Sequence, residues 1–203
     1  MKSSQCLPLA VLIAAPFVHA QPADGRAPDV VVKSTIDNVM RALGTDTAAQ
    51  AGDPDELDRV VAQKFLPSTD FLRTTRLAAG NAWATATPDQ QKALFEQFQT
   101  LMAHTYAAQL AQIRGQGVQF KFLPMPALPA GATDAVVRTV VLNHGDTMNI
   151  DYRLNRSAAG WKIYDINMMG AWLIGIYRQQ FADQVARGRI EGLLQFLKAH
   201  NER

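Results

Sequence analysis

Residues 161–181, WKIYDINMMGAWLIGIYRQQF, change their apolar period halfway along, and this limits what the chain can fold into. Trp161, Ile163, Tyr164 and Ile166 are β-branched or aromatic types suited to a pleated, half-buried surface. From Ala171 the apolar residues recur at helical spacing: Leu173 or Ile174, Tyr177, Phe181, then Val185. Gly170 lies at the join, where a backbone turn is easiest for glycine. One segment therefore supplies a strand face and a helix face to the same interior.

The sequence before this join is helical first and extended later. Val32, Ile36, Val39, Met40 and Leu43 mark one helix face that Gly44 can end. Asp53-Pro54-Asp55-Glu56 has an N-cap aspartate, a first-position proline and acids in the first turn. A further helix is expected over about 70–83. Thr87-Pro88-Asp89-Gln90 reads as a capping box opening a helix that reaches Ile113. Its stripe of Phe95, Phe98, Met102, Tyr106, Leu110 and Ile113 is rich in rings and methionine.

After Gly117 the period becomes two. Val118, Phe120 and Phe122 alternate with Gln119 and Lys121, Val137, Thr139 and Val141 oppose Val136, Arg138 and Val140, and Met148, Ile150, Tyr152 and Leu154 alternate cleanly with Thr147, Asn149, Asp151 and Arg153. His144-Gly145-Asp146 and residues 158–160 are short turns, so the strands form an antiparallel meander. Ile190, Leu193, Leu194 and Leu197 mark a last amphipathic helix. The expected fold is α+β: N-terminal helices, a four-stranded antiparallel meander and C-terminal helices. On strand four, Tyr164, Ile166 and Met168 are assigned to the helix side, and Trp161, Ile163 and Asp165 to the other.

Residues 1–20 read as a secretory signal, with Lys2, an apolar run over 7–18 and Val18-His19-Ala20 as the cleavage site. Residues 21–203 are then a single exported domain, expected in a periplasm. The sole cysteine, Cys6, falls in the signal, so the mature chain has no disulfide, thiolate metal site or thiol nucleophile. It must be held together by its core, and a domain of this length buries about 70% of its unfolded surface. Loss of Lys2 leaves 19 Lys and Arg against 18 Asp and Glu, with no clustered positive field for nucleic acid.

Catalytic patterns are sparse. Ser34, Ser68 and Ser157 lie in no G-x-S-x-G motif, and His104, His144 and His200 have no paired ligand spacing. Asp165 beside Tyr164, with Asp151 and Tyr152 on the neighbouring strand, could relay a proton in an apolar cavity, as in small α+β isomerases or lyases. The plainer reading is a solvent-facing Asp151 and an Asp165 placed against the free amides of a helix start. Trp172, just after the join, is assigned to the rim of the interior.

Trp161-Lys162-Ile163-Tyr164-Asp165-Ile166, Gly170, Tyr177-Arg178 and Phe181 resemble the W-K-V-Y-D-V…G-V-S-L-V…Y-R…F signature of the MlaC family, periplasmic phospholipid-binding shuttles also called toluene-tolerance auxiliary proteins. Gly80, Trp83, the run 86–90, Phe95, Phe98, Thr105-Tyr106-Ala107, Pro67 and Ile190-x-Gly192-Leu193-Leu194 match in order, so the resemblance spans nearly the whole mature chain. Met169-Gly170-Ala171-Trp172 departs from the Glu-Gly-Val-Ser of many members. The resemblance implies a non-enzymatic phospholipid carrier with no cofactor beyond its cargo, expected as a monomer. Its implied partners are an outer-membrane lipoprotein complex and an inner-membrane ABC transporter complex, and its implied role is maintenance of outer-membrane lipid asymmetry. A hopanoid-binding branch of the same family is the alternative. From the periodicities, Phe98, Met102, Tyr106, Val137, Val141, Ile150, Tyr152, Leu173, Tyr177 and Phe181 are expected to face one lipid-holding space. Its mouth is expected near the 124–131 loop or the Gly170 join.

Overall fold

The computed structural model describes residues 25–113 and 117–202, so the signal read at 1–20 lies outside the described residues. Among the described residues, seven helices and five strands follow one another: α1 (Pro28–Thr45), α2 (Thr47–Ala51), α3 (Pro54–Val60), α4 (Phe71–Ala79), α5 (Asn81–Thr85), α6 (Pro88–Ile113), β1 (Gln119–Phe122), β2 (Asp134–Asn143), β3 (Asp146–Ser157), β4 (Gly160–Met168), β5 (Ala171–Trp172) and α7 (Leu173–Asn201). Between α3 and α4 the chain makes a π-helical turn, Val61–Phe65, and a short 3₁₀ turn, Leu66–Ser68.

The helix starts carry the chemistry expected of them. Asp53 accepts a hydrogen bond from the Glu56 amide at 3.0 Å. The capping box at α6 is reciprocal, Thr87 N–H donating to Gln90 Oε1 at 2.8 Å and Gln90 N–H to Thr87 Oγ1 at 3.3 Å. Gly80, at φ +56°, divides the helix expected over 70–83 into α4 and α5.

The sheet is an antiparallel meander in the order β1-β2-β3-β4-β5. It has five strands rather than four, because Ala171 and Trp172 pair with Met168 and Asn167 before the helix begins at Leu173. Ala135, Val137, Thr139 and Val141 of β2 sit opposite Leu154, Tyr152, Ile150 and Met148 of β3, giving one apolar inner face. The helices pack on that face, with Val31 and Val32 of α1 in the same cluster.

The face assigned to β4 needs correction. Leu154 pairs with Ile163 but Arg153 pairs with Asp165, so Tyr164 is an extra residue in a β-bulge. The bulge resets the alternation. Trp161 and Ile163 face inward before it and Ile166 after it, all three being buried in the sheet-side core. Asp165 is buried and Tyr164 is partly exposed, the reverse of the sequence assignment. The bulge also anchors the helices, since the Ile163 carbonyl accepts from the Asp70 amide at 2.8 Å and the Tyr164 carbonyl from Thr74 Oγ1 at 2.6 Å.

Candidate functional site: an apolar cavity under α1

A cavity of about 130 Å³ lies between α1, α6 and the inner face of the sheet. Helix α1 presents Thr35, Ile36, Val39 and Met40, the π-turn presents Val61 and Phe65, and α6 presents Tyr106, Gln109 and Leu110. Phe120, Ile150, Tyr152, Ile166 and Met168 complete the wall from the strands. Gln109 is exposed and Ile36, Met40, Phe120 and Met168 are partly exposed, so the mouth lies between α1, the last turns of α6 and the sheet edge. Met168 puts the Gly170 join beside that mouth.

Among the described residues the wall carries no ionised group. Thr35 spends its hydroxyl on the Val31 carbonyl at 2.8 Å and so offers its methyl. Burial pushes the Tyr152 phenol up to about 12, with its hydrogen bond to Thr139 acting against the shift. Burial likewise holds the Tyr106 phenol far above its ordinary value. Both stay neutral at physiological pH. Such a surface can take an apolar guest and offers neither a nucleophile nor a charge to orient one. Among the described residues there is no cluster of three metal-ligating side chains.

Of the ten residues expected around one space, seven fall on two spaces and three on neither. Tyr106, Ile150 and Tyr152 line the cavity under α1. Phe98, Met102, Leu173 and Tyr177, with Tyr106 again, surround a second space of about 20 Å³. Val137 and Val141 belong to the sheet-side core and Phe181 to the helix-side core. The α1 residues and the π-turn pair were missed as walls. For the α1 residues the signal is the stripe from Val32 to Leu43, whose partner the sequence does not show; Val61 and Phe65 lie outside that stripe.

Both oxygens of Asp165 already accept hydrogen bonds within the protein. Its Oδ1 accepts from the amides of Ile166 at 3.0 Å and Ile174 at 3.1 Å, and its Oδ2 from Arg153 at 3.2 Å. Ile174 lies in the first turn of α7, so a strand carboxylate caps that helix, in line with the plainer sequence reading. The Arg153 guanidinium also lies 3.7 Å above the Trp172 ring. Tyr164 is stacked by Arg73 at 4.1 Å.

The comparisons with known proteins agree with one another. A solved structure, the phospholipid-binding protein from Ralstonia solanacearum in complex with a phospholipid, matches with 40% sequence identity and a TM-score of 0.80, covering 87% of this chain and 98% of that one. The family model for the MlaC protein matches residues 33–199, which takes in most of α1, the π-turn, the sheet and nearly all of α7. The chain belongs to the MlaC family.

Proposed function

We propose that this protein is a periplasmic phospholipid carrier that holds acyl tails between α1 and the sheet and moves lipid between membrane complexes. The observation that carries this reading is the uncharged cavity of about 130 Å³ in a chain 40% identical to a protein solved with a phospholipid. A cavity near 150 Å³ takes a guest the size of benzene, so a whole tail needs more room than this one offers. The neighbouring walls must therefore yield as lipid enters. Each CH₂ taken out of water contributes about 0.8 kcal/mol, which opposes the cost of displacing them. Release needs a partner that binds the open state better than the closed one; membrane complexes at either end of the route would fill that role.

An isomerase or lyase centred on Asp165 is disfavoured. The space beside Asp165 is about 20 Å³, room for a water molecule and not for a substrate. Its carboxylate is committed to two amides and an arginine.

The test is native mass spectrometry of protein released from the periplasm by osmotic shock and purified without detergent. The expected spectrum carries mass increments of phospholipid on a chain beginning at Gln21. Bare polypeptide, unable to take lipid from phosphatidylglycerol vesicles, would sink the proposal. Increments of hopanoid mass would instead favour the other branch of the family.

A further inference from the structure

The cavity under α1 has an inner neighbour behind two rings. The space of about 20 Å³ among α4, α6, β4 and the start of α7 shares three walls with it: Phe65, Tyr106 and Ile166. Phe65 and Tyr106 meet edge to face, centroids 5.0 Å apart and planes at 70°, and so stand between the two spaces. Beyond them lie the rings of Phe98 and Tyr177, 4.9 Å apart. Among the described residues, Tyr106 alone packs against all three apolar clusters.

This partition is soft compared with what a tail gains by passing it. An edge-to-face ring pair contributes roughly 0.5–1.5 kcal/mol beyond its burial. One or two further CH₂ groups drawn inward contribute about as much. Phe65 closes the π-turn Val61–Phe65 and is followed by the Leu66–Ser68 turn, so its backbone belongs to no regular α-helix. π-turns of this kind are frequent at functional positions. Ile166, the third shared wall, is fixed on a paired strand.

We infer that Phe65 and Tyr106 form an internal partition that sets how deeply an acyl tail penetrates, and so act as chain-length determinants for long-chain acyl lipids. The inference rests on the carrier reading above. With the rings closed, the outer cavity takes only a part of a tail; with them swung apart, the tail end reaches the aromatic space against Phe98 and Tyr177. Shortening either ring opens the way permanently, and enlarging Ile166 closes it.

The test offers wild type, Phe65→Ala, Tyr106→Leu and Ile166→Phe the same vesicles, an equimolar mixture of dilauroyl-, dimyristoyl- and dipalmitoyl-phosphatidylglycerol. The lipid bound to each protein is then identified by mass spectrometry. Phe65→Ala and Tyr106→Leu should raise the bound ratio of dipalmitoyl to dilauroyl lipid about fourfold or more. That is the factor that about 0.8 kcal/mol gives for one further buried CH₂. Ile166→Phe should lower the ratio. If Phe65→Ala melts early, Phe65→Leu takes its place, with a smaller rise expected. Folded, lipid-bearing variants with the wild-type ratio would overturn the partition and leave the carrier reading standing. Wild type that takes up no lipid would overturn both.

Discussion

Asp165 shows how one side chain can tie sheet to helix at a cost in desolvation. Its side chain is 1% exposed, and burial is the main reason its carboxyl is held above the ordinary range, against the pull of the Ile174 amide and Arg153. Asp165→Ala strands two buried amides, those of Ile166 and Ile174, and should cost about 2–4 kcal/mol in urea denaturation. Asp165→Asn keeps an acceptor for those amides and should cost about 1 kcal/mol. The pH dependence has a definite sign. A carboxyl with a raised folded value binds its proton more readily in the native state, so its contribution to stability is largest below the unfolded value and is lost as pH rises through the folded one. Wild type should lose stability across that window just above the ordinary carboxylate range, and Asp165→Asn should lose less. Equal pH profiles, or an alanine variant as stable as wild type, would show that the amides find water instead. A helix start near Asp165 was legible in the sequence because Ala171 begins a helical stripe. The direction of the side chain was not, because strict alternation cannot reveal the extra residue Tyr164 that turns Ile163 and Ile166 to the same side.

The long C-terminal element is two helices in one run, and its apolar stripes say so. Phe181 and Ile190 are nine residues apart, which at about 100° per residue puts them on opposite sides of a continuous helix. Both are buried in the same cluster, so the helix must be rephased between them. The break comes at Gly188 and Arg189. Gly188 has φ −142°, whereas Arg189 has φ +56° and ψ −152°, a region otherwise left to glycine. The glycine thus stands one position before the residue that needs it. Arg189→Gly should remove strain worth about 1–3 kcal/mol at an entropic cost of about 0.5–1 kcal/mol. The expected net gain is about 1 kcal/mol, a rise of about 2–4 °C in Tm. A lower Tm would mean that the Arg189 side chain holds a contact worth more than the strain. The two stripes could be read from the sequence alone, and so could the meander, whose strands are joined by short turns. The π-turn could not, since nothing in Val61-Ala62-Gln63-Lys64-Phe65 distinguishes it from the helix before it. The wall that α1 builds was equally hidden, because a helical stripe shows which face is apolar and not what that face meets.

Across the molecule, stability and the cavity oppose each other. The described residues contain no cysteine and depend on their core, and an empty volume in a core costs about 24 cal/mol per Å³. Over about 130 Å³ that is roughly 3 kcal/mol left unused, a large share of the 5–15 kcal/mol typical of a domain. A protein selected for stability alone would fill the space, whereas a carrier must keep it. Val39 tests this directly, since it is 8% exposed, lines the cavity and sits on the helix that roofs it. Val39→Phe trades one γ-methyl for ring atoms added on the side of the space it lines. Filling about a third of it should return about 1 kcal/mol, a rise of roughly 2–4 °C in Tm. The same substitution should cut the phospholipid retained per protein by at least about half, the stability–function trade-off expected at a binding site. The two measurements separate the possibilities. A lower Tm would mean that the ring collides with Phe65 or Tyr106 instead of entering the cavity. A higher Tm with full lipid retention would mean that the tails lie elsewhere, and the space under α1 would then be a packing defect and not the seat of the cargo.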